Sequence, residues 1–257
     1  MNLSLSDPAF LARAVAAAAP PADTLLAEMK WTGYSVNSNV PNSTSVDGFI
    51  TFADYNYAQR CVASPYGAAG KACRFPTSAE AGGSNNSRYA VQLRVPQATR
   101  GSKARIKFKV YVKTPSNGGF YARSGDGSPH LFWWGTASVR TNDAASTVSA
   151  LRVFTGSTQR AELAYTYAAE TWYVHTYDVK MDASAGFIDL RVEKADGTAV
   201  GTLRWEGATG NESDTNGFLG SWGSDASIHG FTGSVASSSD TTCFPLLGPV
   251  MVYEPGA

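Results

Sequence analysis

Residues able to do chemistry are sparse in this 257-residue chain. His130, His175 and His229 lie far apart, and none stands in a Ser/His/Asp arrangement that would activate a nucleophile. The one close acidic cluster is "GNESDTNG", with Glu212 and Asp214 in a turn-rich stretch. Glycoside hydrolysis needs two carboxylates held ~5 Å apart for retention, or further apart for inversion, and no strand pattern here holds such a pair. Oxygen ligands alternate at Glu212, Asp214 and Asn216 before Gly217, a pattern that suits Ca²⁺, but position 223 is Gly where an EF-hand needs Glu. A polar turn is the simpler reading, so no cofactor is expected, with Ca²⁺ the one candidate. Cys61, Cys73 and Cys243 form no CxxC and no zinc spacing. An odd count argues against a full disulfide framework. Cys61 and Cys73 can pair in the presence of an oxidant; in a cytoplasm they read as small buried hydrophobes.

Aromatic side chains are the other possible chemistry, because a ring can stack on a sugar. "HLFWWG", residues 130–135, sets Leu131, Phe132, Trp133 and Trp134 in a row. In a strand, Leu131 and Trp133 share one side while Phe132 and Trp134 share the other. One side must then be core, and the other is either a binding platform or a covered surface. Tryptophan is highly buried on average and enriched at interfaces, which favours the covered alternative. Trp222, between glycines in "GSWGS", is the better candidate for an exposed ring. Trp133, Trp134 and Trp222 are therefore the candidate carbohydrate-binding residues, and no catalytic or metal-ligating residue is assigned.

These residues need a scaffold, and the composition describes it. Charged residues make up 16% of the chain, against a usual ~25%. Formal net charge is zero, which supplies no basic face for nucleic acid. The cations of "RIKFKVYVK" alternate with apolar residues and read as the solvated face of a strand. No apolar run approaches the ~20 residues that cross a bilayer. The N-terminal stretch lacks a basic n-region and carries Asp7 and Arg13, so it reads as a helix and not as an export signal.

Residues 1–30 read as a helical arm. Asp7 caps it, Pro8 opens it, and Phe10, Leu11, Ala14, Val15 and Ala18 fall on one face before Pro20 and Pro21 stop it. "DTLLAEMKW" reads as a second helical turn. So short an arm needs a surface to dock on, which makes Phe10, Leu11, Val15, Leu25 and Leu26 subunit-docking candidates. Residues 31–257 read as β. "GFITFADY", "YAVQLRV", "RIKFKVYV", "HLFWWG", "ALRVFT", "AELAYTYA", "TWYVHTYDVKM", "GFIDLRVE", "AVGTLRWE" and "LLGPVMVYE" are strands, with Asp196-Gly197 turning a hairpin. Ala58–Ser87 and Gly207–Ser239 read as long loops. Strands recurring at intervals of ~10 residues predict an all-β sandwich.

The stretch from Glu170 to Gly201 resembles the concanavalin A-like jelly-roll superfamily of lectins and glucanases. It carries a strand-opening Trp172 with Val179, then Gly186, Ile188, Leu190 and Val192, then the Asp196-Gly197 turn. The resemblance implies an antiparallel jelly-roll β-sandwich. Laminarinase-like members carry an E-x-D-x-x-E or E-x-D-x-E strand, which is missing here. Alginate-lyase relatives need a Gln-x-His pair, also missing. The expectation is therefore of a non-enzymatic role, although the enzyme question stays open. With an arm, a sandwich and a low-charge surface, the reading is a structural protein of a tailed-bacteriophage virion, in the capsid decoration or the tail. It would be made in the host cytoplasm and act by protein–protein assembly. Its partners would be the major capsid protein and further copies of itself, without nucleic acid or membrane. The alternative is a carbohydrate-binding module for a cell-surface polysaccharide, which could be a host glycan.

Overall fold

The computed structural model describes residues 22–40, 45–53, 59–74, 88–100, 104–114, 130–141, 150–210, 226–234 and 246–256. Strand β8, Arg105–Lys113, shows how the sequence builds this fold. Ile106, Phe108, Val110 and Val112 are buried, while Arg105, Lys107, Lys109, Tyr111 and Lys113 are half-exposed, so the period of two splits the strand into a dry face and a wet one. Two sheets with such faces can stack dry side to dry side.

The first sheet runs β15 (Ala199–Gly207), β14 (Gly186–Lys194), β13 (Trp172–Lys180), β8, β17 (Leu246–Glu254), β6 (Lys71–Arg74), β5 (Gln59–Ala63) and β2 (Asn39–Val40). Strand β1, Thr24–Met29, also pairs with β17. The second sheet runs β12 (Thr158–Ala164), β11 (Ala150–Thr155), β10 (Ala137–Thr141), β9 (His130–Trp134), β16 (Ala226–Ser234), β7 (Arg88–Val95), β4 (Phe49–Ala53) and β3 (Ser45–Val46). A single helical turn, α1, spans Gln97–Arg100. Each strand pairing is antiparallel. The chain passes from sheet to sheet between β2 and β3, β4 and β5, β6 and β7, β7 and β8, β8 and β9, β12 and β13, β15 and β16, and β16 and β17, and such repeated crossing between two antiparallel sheets is that of a jelly roll.

The layers meet through aromatic rings. Phe108 of the first sheet lies 5.3 Å from Phe132 of the second, and Tyr177 stacks on Phe108 at 4.6 Å and touches Phe132 at 5.5 Å. One flank closes where Gly201 of β15 leaves room for Leu163 of β12, whose Cδ1 would stand 3.0 Å from an added Cβ. Asp47 ties the sheets at another point by accepting from the backbone N–H of Lys30 at 2.7 Å and of Thr32 at 3.2 Å.

Three expectations are corrected. "DTLLAEMKW" is not a helical turn: Thr24–Met29 is a strand in register with Val250–Glu254. The open edge of β17 offers backbone hydrogen bonds that an isolated turn cannot match, so the sandwich begins upstream of residue 31. The Ala58–Ser87 region contains the β5–β6 hairpin, and the Gly207–Ser239 region contains β16, a strand in the middle of the second sheet. Strand β10, absent from the strands read in the sequence, pairs with β9 and β11. Serine, threonine and glycine gave β10 and β16 the composition of loops, whereas β5 and β6 are five- and four-residue runs too short to show a pattern, and neighbouring strands supply the order that local propensity does not. Phe10, Leu11 and Val15 lie outside the described residues.

Gly186 stands where a side chain has no room. A Cβ there would stand 2.0 Å from Thr209 Oγ1 and 2.6 Å from the Lys180 carbonyl. Thr209 is enclosed, its hydroxyl donating to Lys180 O at 2.8 Å and accepting from Asp182 N–H at 2.8 Å. Gly186→Ala is expected to break this latch and cost about 1–3 kcal/mol by overpacking, read as a lower urea midpoint at unchanged m-value.

Candidate functional site

The tryptophan pair straddles β9 as its alternation requires. Trp134 points with Phe132 into the sandwich and is 1% exposed, so it has no ring face to offer a sugar. Trp133 points to the outer face of the second sheet but is 8% exposed, with its indole N–H donating to Gly135 O at 3.1 Å. An enclosed ring of that kind presents no open face for a sugar to stack on. Trp222 lies outside the described residues, as do Glu212, Asp214 and Asn216 of the calcium expectation. Of the docking candidates, Leu25 and Leu26 lie within the described residues. They are 50% and 41% exposed, on a strand and not on a helix.

The structure gathers two polar constellations that sequence spacing did not reveal. The first is inside. Tyr173, His175 and Tyr177 are alternate residues of β13 and all face the interior, where Tyr167 packs beside them. His175 Nε2 meets the Tyr167 hydroxyl at 2.7 Å and Nδ1 meets the Tyr177 hydroxyl at 3.2 Å. Tyr165 and Tyr173 share a hydroxyl contact at 3.1 Å, and the Tyr173 hydroxyl accepts from Ala168 N–H at 2.8 Å. A neutral imidazole has one donor and one acceptor nitrogen, and two hydroxyls match both in either tautomer. Burial disfavours the imidazolium and lowers the His175 pKa to about 3. It pushes the Tyr167 and Tyr177 hydroxyls well above their ordinary values. His175 and Tyr177 are fully enclosed and Tyr167 nearly so; no solute reaches them, and the network positions the core.

The second constellation is outside, on β10, β11 and β12. Val139 and Val153 face inward, which turns Ser138, Arg140, Arg152 and Phe154 outward. The Arg140 guanidinium carbon lies 4.2 Å from the centre of the Phe154 ring. Its Nε donates to Ser138 Oγ at 3.0 Å and its Nη2 to Gly156 O at 2.9 Å, which hold the planar group over the ring. Beside it, Arg152 Nε donates to Glu162 Oε2 at 2.8 Å and Gln159 Nε2 donates to the same oxygen at 3.1 Å. The Arg152 and Glu162 side chains are 25% and 40% exposed, so this part of the face is open to solvent, unlike the ground around Trp133. Glu162 is the one carboxylate in the described strands of the second sheet.

The outer face of the first sheet is different. Its charges pair locally: Arg105 with Asp178 at 2.7 Å, Arg204 with Asp189 at 2.6 Å, Arg191 with Glu193 at 2.6 Å, and Lys113 with Glu170. Arg105 and Arg204 lie over Phe187, at 5.4 and 5.3 Å from its centre, and cover that ring. Exposed ion pairs of this kind contribute little to stability. Among the described residues no group of His, Cys, Asp and Glu is arranged to hold a metal.

The second constellation left one trace in the sequence. "SVRT" and "LRVF" both place an arginine in the phase opposite to valine, which marks an outward position once the strands are known. That β10 pairs with β11, bringing Arg140 over Phe154, is a fact of register alone.

No protein-family model and no curated protein matches the chain. A protein of unknown function from Shewanella oneidensis matches in structure with a TM-score of 0.55 at 11% identity, over 98% of this chain and 96% of that one. A seed lectin of Lotus tetragonolobus gives 0.46 at 10% identity, over 86% and 100%. A β-glucanase catalytic domain from Podospora anserina gives 0.43 at 11% identity, over 89% of each chain. The first is a likeness of fold, and the other two are more distant.

The interior network makes stability depend on pH with a definite sign. Unfolded His175 binds a proton below about pH 6.5, whereas the folded chain holds it neutral down to about pH 3. Between those values the unfolded state binds the extra proton. This contribution is therefore complete above pH 6.5 and shrinks by about 1.4 kcal/mol for each pH unit lost. Urea titrations at pH 7, 6, 5 and 4 are expected to show that slope in the wild type and a shallower one in His175→Gln.

Proposed function

We propose that the chain is a carbohydrate-recognition module that holds a sugar on the outer face of the second sheet, at β10–β12. The carrying observation is the Arg140–Phe154 stack, fixed by two hydrogen bonds beside the Arg152–Glu162–Gln159 cluster. A pyranose presents neighbouring hydroxyls in pairs, together with an apolar edge. Guanidinium, carboxylate and amide groups offer paired donors and acceptors in planes, at little entropic cost when already held in place. A half-exposed phenyl ring and the alkyl stems of two arginines supply the apolar part. Glu162 has no second carboxylate beside it among the described strands of this sheet, so the reading for this face is one of binding.

A glycan array followed by calorimetry on the best ligand tests this. Arg140→Ala and Phe154→Ala are each expected to weaken binding about tenfold or more, the loss of roughly one to two kcal/mol of contact, with thermal midpoints kept near the wild type. Full affinity in both variants would reject the site.

A second reading, assembly into a larger particle such as a bacteriophage virion, draws support from Leu25 and Leu26. Both are exposed on β1, whose one partner among the described residues is β17. An edge strand bearing leucine is a surface on which another chain can add a strand. A second copy placed there would give a closed twofold pair. Light scattering is expected to show a dimer that Leu25→Lys with Leu26→Lys dissociates. A wild type that stays monomeric at high concentration would dismiss this role for β1.

A further inference from the structure

Cys61 of β5 and Cys73 of β6 stand directly opposite each other in an antiparallel pair. The hydrogen bonds decide what kind of pair it is. The Cys61 N–H donates to Ser38 O at 3.0 Å, and the Cys61 carbonyl accepts from Asn37 N–H at 2.7 Å. Both polar groups of Cys61 therefore point toward residues 37–38 and away from β6. In the same ladder Ser64 N–H donates to Gly70 O at 2.8 Å, so Ser64 sits at a hydrogen-bonded site. Counting back from Ser64, the alternation returns a non-hydrogen-bonded site at residue 61. At such sites the two Cα atoms approach to about 4.5 Å and the side chains leave the sheet on the same face, inside the Cα range of about 4.4–6.8 Å that a disulfide spans. Both side chains are fully enclosed in the core and both are thiols in this structure.

We propose that Cys61 and Cys73 close into a cross-strand disulfide when the chain folds in the presence of a disulfide oxidant, stapling the β5–β6 hairpin to itself. One thiolate attacks a sulfur of the oxidant's disulfide and expels one thiol. The second thiolate then attacks the mixed disulfide and expels the other. Two thiols of the protein become one S–S bond, and their two electrons and two protons leave with the oxidant as two new thiols. The step belongs to folding. Once the core is closed, burial raises the Cys61 thiol and pushes the Cys73 thiol far above its ordinary value, so the folded chain offers almost no thiolate and no path for the oxidant. The same burial shields the finished bond from reductants. The hairpin gains from a staple because β6 meets β17 over two register pairs alone, at Leu246–Arg74 and Leu247–Cys73.

The test is refolding from denaturant with a mixture of reduced and oxidised glutathione, in parallel with refolding under reductant, for the wild type and for Cys243→Ser. After denaturing alkylation, peptide mapping of the oxidised sample is expected to show a Cys61–Cys73 linked species in most molecules of both proteins. Its mass should be lower by two hydrogen atoms, and its thermal midpoint several degrees above that of the reduced form. Alkylation of both thiols in the oxidised sample would overturn the proposal. So would a link from either cysteine to Cys243, or an oxidised form no more stable than the reduced one.

Discussion

Everything in this molecule depends on one contact between two dry faces, where Phe108 and Tyr177 of the first sheet meet Phe132 of the second. Burying large apolar side chains contributes about 1.5–3 kcal/mol each, and ring-on-ring geometry adds a little more. The contact also works as a sorting device. Once Phe132, Val139 and Val153 face inward, the residues between them have to face out. Arg140, Arg152 and Phe154 thus reach the surface because of what their neighbours bury. The candidate sugar site and the core are two outcomes of the same period of two.

The interior is not purely apolar, and its polar part is handled locally. A buried imidazole would be costly if either nitrogen were left without a partner. Tyr167 and Tyr177 place a hydroxyl at each ring nitrogen. Alternation on β13 supplies Tyr177, two residues from His175. Tyr167 arrives from the segment that crosses between the sheets after β12. This crossing is then specified by hydrogen-bond geometry as well as by apolar contact, which makes the register of β13 more selective than hydrophobicity alone would.

The two outer faces divide the chemistry. The first sheet sets several acidic and basic residues in adjacent pairs, Phe187 lies under two arginines, and Tyr111 stacks on Tyr66 among the lysines of β8. The second sheet carries a single carboxylate in its described strands, with arginines standing over or beside aromatic and amide groups. At the far side of the first sheet, β1 leaves Leu25 and Leu26 uncovered, and its geometry is that of an edge.

The alternating stretches were legible without coordinates. Strict period-two runs such as β8, a Trp-led strand at β13 and an Asp-Gly turn before β15 determined an all-β antiparallel sandwich, because alternation has no other stable home. Strand geometry likewise put Trp133 and Trp134 of "HLFWWG" on opposite sides, and the structure decided that Trp134 is the one inside. What the chain alone left open was decided by pairing. Thr24–Met29 has the composition of a helical turn and becomes a strand because β17 presents an open edge. Arg140 and Phe154 are far apart in the chain and are joined by the β10–β11 register. Cys61 and Cys73 face each other because backbone bonds to Ser38 and Asn37 set the phase of β5. Local pattern determines which face a side chain takes. The partner it meets there depends on long-range register, which is paid for by the whole sheet and written in no single stretch of residues.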